Sequence, residues 1–325
     1  MLKRAYQRFR QQDSFFGALT SLLFFLVLAI FSPYFFMQNN LLSLQALIAP
    51  RVIMAIGMML VVILGMFDLS VGSVMGLAGI VCGYILSRGM PVPAAMLSGL
   101  AVGLAVGLVN GFLIAVCRIL PLISTIGTMY IFRGFCEMIM TSNLAMSLTG
   151  FPQSFLNFGG RTFLGMYPML WIMLVLLAAF EFVLKKTYFG RQLYFIGGNR
   201  ASAQSLGFGV RKVTIMCYAI SGMLAALAGV VSIARFQSAS RYLGQGLHMD
   251  ILIACIIGGG SLMGGKGDMK GALFGTVFVA LLENAFNLFE INSLFKSVVV
   301  GAALVLVVLF DGYVHMKKMR ALGKI

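Results

Sequence analysis

One string in the chain has the spacing of a phosphate-binding loop. Residues 260–266 read GSLMGGK, which matches the G-x-x-x-x-G-K pattern whose backbone amides and lysine hold nucleotide phosphates. In that pattern the next residue is Ser or Thr, whose hydroxyl binds magnesium, but here it is Gly267, and no soluble strand-loop-helix unit surrounds the string. We therefore predict that this chain binds no nucleotide. If ATP powers the protein, another chain binds the ATP and its Mg²⁺.

The remaining reactive side chains do not form a catalytic or metal-binding set. The two histidines, His248 and His315, lie far apart in the sequence, and no carboxylate cluster accompanies them. The five cysteines lie in apolar stretches without metal-ligand spacing, and their odd number indicates free thiols. The sequence therefore predicts no metal site, no catalytic residue and no enzymatic activity in this chain.

Ionisable residues within apolar segments are costly in lipid, so each of them is informative. Arg133 and Glu137 are four residues apart, a spacing that lets them pair on one helix face. Asp68 lies at a helix break beside Ser70 and Ser73, where a carboxylate can cap the helix that follows. We expect the first two to form an ion pair and the third to be an N-cap.

A polar stripe near the end of the chain contains Glu283, Asn284 and Asn287. Such side chains either line a solute path or hydrogen-bond to a neighbouring helix, and the sequence leaves both alternatives open. Because charges are sparse, a path would suit a neutral solute better than protons or metal ions. The candidates for a translocation path are Asp68, Ser70, Ser73, Asn110, Glu137, Glu283, Asn284 and Asn287.

Composition decides the environment in which these residues act. The 325 residues are 60% hydrophobic and 10% charged, which is typical of an integral membrane protein and excludes a soluble domain. Hydropathy predicts an all-α, polytopic bundle of about ten spans that forms a single transmembrane domain over residues 1–325. The predicted spans are 15–36, 44–66, 70–87, 92–117, 121–140, 166–184, 213–234, 249–263, 271–290 and 294–312, the eighth being short and glycine-rich enough to be broken or re-entrant.

The cations are distributed unevenly between the predicted loops. With both termini in the cytoplasm, most Lys and Arg fall in cytoplasmic segments, which favours an even number of spans. The outside segments hold Arg51, Arg88, Arg161, Arg235, Arg241 and Lys296. Because the net charge of +15 is spread over span ends and loops rather than gathered in a basic domain, we exclude a nucleic-acid partner.

Residues 185–212 form a basic segment that is punctuated by glycine and contains no acid. The positive-inside rule predicts a cytoplasmic loop here. Within it, residues 199–206 are small or polar and are bounded by Gly197, Gly198 and Gly207, which predicts one short helix. Such a helix either docks a soluble partner or connects two spans, and charge alone does not decide between these roles.

Glycine recurs at spacings that bring helices together. Gly99, Gly103, Gly107 and Gly111 are four residues apart, which we interpret as a helix-packing ladder. Two glycine-rich breaks, 64–79 and 257–275, each follow one span and open another. Their likeness suggests a weak internal repeat.

Three segments together resemble a known family, the permease subunits of bacterial ABC importers for simple sugars such as ribose, xylose and arabinose. Residues 67–73 (FDLSVGS) are similar to the family's G-I-D-L-S-V-G-S, and residues 190–199 (GRQLYFIGGN) are similar to its G-R-x-x-Y-A-x-G-G-N. The third segment is 258–267 (GGGSLMGGKG). Their order and spacing are specific, and the likeness covers nearly the whole chain, although Met66-Phe67 and 205–208 depart from the family pattern.

The resemblance implies a set of partners and site residues. The partners would be a cytoplasmic ABC ATPase, a periplasmic sugar-binding protein, and a second permease copy, either identical or paired, in the bacterial inner membrane. The segment that contacts the ATPase would include Gly190, Arg191, Gly197, Gly198, Asn199, Arg200, Ala201, Gln204 and Gly207. The family glycine motif would comprise Gly258, Gly259, Gly260, Gly264, Gly265 and Gly267.

On this interpretation the chain passes a simple sugar by alternating access while the ATPase hydrolyses ATP. One alternative is an ABC permease of the same architecture for another small solute, such as a branched-chain amino acid or an autoinducer. A second is a stand-alone secondary transporter, which would need a coupling-ion site that the sequence does not display.

Overall fold

The computed structural model describes residues 15–142 and 146–292 and, after them, residues 295, 298, 299, 301, 302 and 305. These residues are mainly helical, as the hydropathy pattern predicts. Both chain ends, and nearly all of the predicted tenth span at 294–312, lie outside the described residues.

The elements of the described part are α1 Phe15–Phe31, α2 Gln38–Ile63, α3 Val71–Ser87, α4 Val92–Ala115, α5 Pro121–Ser142, β1 Ser147–Leu148, α6 Gln153–Gly160, α7 Pro168–Lys186, α8 Tyr188–Gly198, α9 Arg200–Ser205, α10 Val210–Phe236, β2 Ala239–Ser240, α11 Leu247–Ile257 and α12 Met269–Leu288. Strands β1 and β2 form one short antiparallel ladder that joins the segment after α5 to the segment after α10.

In the part of the chain that the structure describes, five helices are long and apolar enough to cross a membrane: α2, α4, α7, α10 and α12. Helices α1 and α3 are apolar but have 17 residues each. Helix α11 ends at Ile257 after 11 residues. It is therefore about 16 Å long, roughly half of the hydrocarbon core, which agrees with a broken eighth segment.

Helices α2 and α10 form the centre of the bundle. From Pro50 to Ile63, every residue of α2 is buried, and all of them except Arg51 are apolar, as expected for a helix at the centre of a bundle. Helix α10 packs most extensively on α4 and also contacts α2, α3 and α6. The first half of α2, by contrast, is only partly buried.

The predicted glycine ladder is confirmed as a packing surface, because α4 approaches α10 along it. A methyl group added at Gly103 would overlap the carbonyl oxygen of Gly222, and one added at Gly107 would overlap that of Tyr218. Lipid offers little hydrophobic drive for helix association, so this close backbone contact is what joins the two helices.

The basic segment 185–212, predicted as a loop with one short helix, contains two helices. Helix α8 buries Gly190, Leu193 and Ile196, whose spacing of three residues lines one helix face. The Thr187 hydroxyl caps α8 by accepting a hydrogen bond from the Gly190 amide at 3.2 Å. The glycines therefore allow close contact within a helix here and do not mark an open loop.

The packing ladder yields a direct prediction. We expect Gly107→Ala to lower the free energy of unfolding by about 1–3 kcal/mol, because the added methyl group must push α4 away from α10. The matched control is Gly127→Ala, since a methyl group at that exposed glycine of α5 meets nothing within 4 Å. The measurement is the thermal midpoint of the monodisperse protein in detergent. Equal midpoints for the two variants would contradict the packing role.

Candidate functional site

The glycine-rich segments of the sequence converge in one place, where three stretches of backbone meet. These are the end of α2 at 63–65, the end of α8 at 197–198, and the loop between α11 and α12 at 264–265, which together we call the glycine joint. The Gly265 amide donates a hydrogen bond to the Ile63 carbonyl oxygen at 2.8 Å. The Tyr194 hydroxyl donates to the Gly267 carbonyl oxygen at 2.7 Å.

The joint tolerates no side chain at its centre. A methyl group on Gly197 would overlap the carbonyl oxygen of Ile63, and one on Gly264 would lie 2.7 Å from the carbonyl oxygen of Gly197. Gly264 and Gly265 also have positive φ values of 80° and 72°, a region that glycine adopts readily. Gly258 packs in the same loop against Gly271 of α12. The glycine motif is therefore a contact between three elements.

The predicted short helix is confirmed as α9. The Asn199 side chain caps α9 by accepting from the Ser202 amide at 2.9 Å. Gly207, with a φ of 82°, ends this segment. The side chains that α8, α9 and their flanking residues present to the surface include Arg191, Phe195, Asn199, Arg200, Ala201, Gln204 and Leu206, and the whole segment 185–212 contains no acid. Helices α8 and α9 thus offer a basic and apolar face immediately beside the glycine joint.

A buried polar network surrounds Asp68 in the loop that leads from the joint into α3. One carboxylate oxygen accepts from the Ser70 amide at 3.0 Å and from its hydroxyl at 2.6 Å. The other accepts from the Ser221 hydroxyl of α10 at 2.9 Å. In the same loop, the Phe67 carbonyl oxygen accepts from the Tyr218 hydroxyl at 2.9 Å.

The network continues into two further helices. The Asn110 amide of α4 donates to the Ser70 hydroxyl oxygen at 2.8 Å, and the Thr128 hydroxyl of α5 donates to the Asn110 side-chain oxygen at 2.8 Å. The N-cap residue of α3 is Ser70 and not Asp68, which precedes it by two residues, but the Asp68 carboxylate does accept from the free Ser70 amide at the start of that helix, as predicted. Ser73 donates to the Ser70 carbonyl oxygen within the same turn.

The polar stripe on α12 faces α2. Arg51 Nη2 lies 2.7 Å from Glu283 Oε2, and the Asn284 side chain donates to Asn40 Oδ1 at 2.7 Å. Asn287 is exposed near the end of the helix. Two members of the stripe therefore bond helix to helix, which was one of the two alternatives. Sequence reasoning missed Arg51 by assigning it to the outside segments, whereas it is buried within α2.

The predicted pair of Arg133 and Glu137 is also wrong. Arg133 donates to the backbone carbonyl oxygens of Arg241 and Leu243 at 3.0 and 3.2 Å. Glu137 instead lies 3.5 Å from the guanidinium of Arg241. Spacing of four residues permitted the pair, but the segment between β2 and α11 places two carbonyl oxygens beside Arg133 and the Arg241 guanidinium beside Glu137.

The phosphate-loop string 260–266 connects α11 to α12, so it follows a helix rather than a strand. Lys266 is exposed at its end. Among residues 15–142 and 146–292, no cluster of three or more His, Cys, Asp or Glu could hold a metal ion. All five cysteines are free, and four are buried.

The chain is similar to import permeases over most of its length. A family model described as the permease component of branched-chain amino acid transport systems matches residues 40–308. The ribose import permease protein RbsC of Haemophilus influenzae is 33% identical over 296 residues, 90% of this chain and 91% of that protein. RbsC of Bacillus subtilis is 37% identical over 288 residues, 88% of each chain.

A second kind of relative is the autoinducer 2 import system permease protein LsrC of Klebsiella pneumoniae. It is 33% identical over 303 residues, which cover 93% of this chain and 86% of that protein. No solved structure gives a significant match.

The Asp68 network predicts a large cost for removing its acceptor. We expect Asp68→Ala to lower the free energy of unfolding by about 3 kcal/mol, because the buried Ser221 and Ser70 hydroxyls would lose their acceptor. Ser73→Ala, whose hydroxyl bonds only one turn back to Ser70, is the matched control and should cost less than about 1 kcal/mol. Equal thermal midpoints in detergent would refute the role of the carboxylate.

The contact between Arg51 and Glu283 predicts a non-additive pair of changes. Glu283→Leu alone leaves the Arg51 guanidinium buried without this carboxylate and should cost about 3–5 kcal/mol of stability. The double variant Arg51→Met with Glu283→Leu should regain most of that loss, because two apolar side chains then fill the contact. A double variant that loses as much as the two single variants combined would show that the ion pair does not join these helices.

Proposed function

The chain belongs to the family of permease components, and from this membership we propose that it is the membrane-spanning subunit of an ATP-driven importer of a simple sugar. The protein is a multi-pass membrane protein and a transport component. The observation that supports ATP-driven import best is the exposed, acid-free face of α8 and α9 beside the glycine joint. An ATPase that docks on this face would act directly on the joint.

The proposed assembly contains a cytoplasmic ABC ATPase, a periplasmic sugar-binding protein and two permease copies, identical or paired, in the bacterial inner membrane. We propose that residues 1–325 form one transmembrane domain of about ten spans with both termini in the cytoplasm. The Lys and Arg of 185–212 favour this orientation, since such residues concentrate on the cytoplasmic side. This chain binds no nucleotide, and the partner ATPase holds ATP and Mg²⁺.

The proposed mechanism is alternating access driven through the glycine joint. When the ATPases close on ATP, they displace α8 and α9, and Gly197 carries that displacement to the end of α2 and to the loop before α12. The hydrogen bonds at Ile63 and Gly267 keep these three elements in contact. The loop before α3 continues from the joint, so the Asp68 network moves with it and transmits the change to α4, α5 and α10.

The translocation path is proposed to include polar side chains from the candidates that the sequence offers. Asp68, Ser70 and Asn110 are buried and bonded to one another, whereas Asn287 and Glu137 are more accessible. A hydroxyl-rich solute needs such groups, because an unpaired hydroxyl in an apolar channel costs roughly 1–3 kcal/mol. The internal repeat is a further proposal, supported by the fact that 64–79 and 257–275 each connect one helix to the next through a glycine-containing loop.

Ribose and autoinducer 2 are the two solutes named for the relatives described above. We propose ribose or a similar simple sugar as the solute, and autoinducer 2 as the second candidate. A branched-chain amino acid is less favoured, because only the broad description of the family refers to it. A stand-alone secondary transporter is less favoured still, since the relatives are import-system permeases.

Arg191 provides the test of this function. In proteoliposomes that contain the permease, its ATPase and its binding protein, Arg191→Glu should reduce ATP-driven uptake at least about tenfold, because charge reversal disfavours the docked ATPase. The matched control is Arg88→Glu at the far end of α3, which should keep full uptake. Uptake of ribose and uptake of autoinducer 2 are measured in parallel, and the solute that is taken up identifies the substrate.

The same vesicles distinguish the classes of transporter. Uptake that persists without the ATPase would establish a secondary transporter and overturn the proposal. Uptake by Arg191→Glu at the level of Arg88→Glu, with unchanged ATPase co-purification, would show that α8 does not dock the ATPase.

A further inference from the structure

A cavity lies between the turn that joins α4 to α5 and the junction of α9 with α10. Its volume is about 770 Å³, which is within the range of sites that bind small molecules. It lies next to the face of α9 described above but is lined mainly by residues that the glycine joint and the Asp68 network do not use. None of the described residues that line it is an acid.

The walls of this cavity carry an unusual concentration of positive charge. Arg118, Arg200, Arg211 and Lys212 all line it, and all four are exposed. In the part of the chain that the structure describes, none of the four takes part in a salt bridge. Like charges gathered around one cavity repel one another, so an anion within it would be stabilised by all of them.

Two backbone features add to this preference. Gly209, Arg211 and Lys212 bring the beginning of α10 into the wall, and no side chain caps that helix. The positive end of the helix dipole and its first-turn amides therefore favour an anion, phosphate above all. Arg118 is held at a φ of 59°, a conformation that few non-glycine residues adopt.

The other side of the cavity is apolar and faces outward. Ile119 and Leu120 line it, and Leu120 is 65% exposed. Leu122 and Ile123 continue the same exposed apolar surface along the start of α5. A free phosphate or an acidic peptide would gain nothing from these side chains. A phospholipid would, because its acyl chains could cover them while its phosphate contacts the cations.

We propose that this cavity binds the headgroup of an anionic phospholipid. The phosphate lies among Arg118, Arg211 and Lys212, and the acyl chains pack on Leu120 and its apolar neighbours. Basic pockets at the membrane surface commonly hold such headgroups. The bound lipid would also contact Arg200 and Gln204 of α9. The lipid composition of the membrane would therefore influence the segment that docks the ATPase.

The test measures lipid retention by the full-length chain. The protein is placed in nanodiscs of phosphatidylcholine with a minor fraction of phosphatidylglycerol, and native mass spectrometry counts the lipids that remain bound after transfer to detergent. We expect the wild type to retain phosphatidylglycerol preferentially. Lys212→Gln and Arg118→Gly should each reduce that preference about fivefold, since each removes one cation near the phosphate.

The variants are chosen so that misfolding is separable from lost binding. Glycine adopts the φ of residue 118 without strain, so Arg118→Gly removes the charge without forcing the turn. Lys212→Arg keeps the charge and should retain the lipid. Lys186→Gln, an exposed cation outside the cavity, is the matched control and should behave as wild type.

Three outcomes would overturn the proposal. The first is equal phosphatidylglycerol retention by the wild type, Lys212→Gln and Arg118→Gly. The second is complete displacement of the lipid by millimolar inorganic phosphate, which would identify a site for free phosphate. The third is unchanged lipid selectivity in monodisperse variants that instead lose ATPase binding, which would assign the cavity to the acidic surface of that partner.

Discussion

The architecture depends on direct contact between backbones at the glycine joint. At Gly197 and Gly264, the ends of α2 and α8 and the loop before α12 approach so closely that no side chain fits between them. When one of these elements moves, the others must move with it, because their backbones are in direct contact and the Ile63 carbonyl oxygen also accepts a hydrogen bond from the Gly265 amide. This contact explains why a partner could act through the exposed face of α8 and α9. A force applied to that face would reach α2 and α12.

The hydrogen bonds around Asp68 connect the loop before α3 to other helices of the bundle. A buried carboxylate is costly unless it is fully hydrogen-bonded, and here both of its oxygens accept hydrogen bonds. Its partners belong to α10 and, through Ser70 and Asn110, to α4 and α5. On the other side, Arg51 and Glu283 tie α2 to α12. The buried polar groups of this protein therefore join helices, as the glycine contacts do. Hydrogen bonds also fix how two helices are oriented, which apolar contacts alone do not.

Local signals in the sequence identified local structure well. The run of small residues between Gly198 and Gly207 predicted α9, and the spacing of Gly103 and Gly107 predicted a helix-packing surface, although not that α10 would pack on it. Partners distant in sequence could not be read from spacing. Arg133 and Glu137 have the spacing of an intrahelical pair, yet each contacts the segment after β2. Arg51 was assigned to an outside segment, yet it forms an ion pair with Glu283 within the bundle. The convergence of the glycine segments likewise depends on tertiary packing. The residue pattern within one segment does not show which distant segments it will contact.

We expect α8, α9 and the loop before α12 to move as one body when the ATPase acts. The most direct measurement is the distance between spin labels at Ser205 and Met263, both exposed, in the reconstituted complex with the exposed Cys117 replaced. We predict the same distance distribution without nucleotide and with bound ATP, whereas the distance between a second pair of labels, at Ser205 and at the exposed Leu104 of α4, changes. A change between Ser205 and Met263 as large as that of the second pair would contradict transmission through the glycine joint.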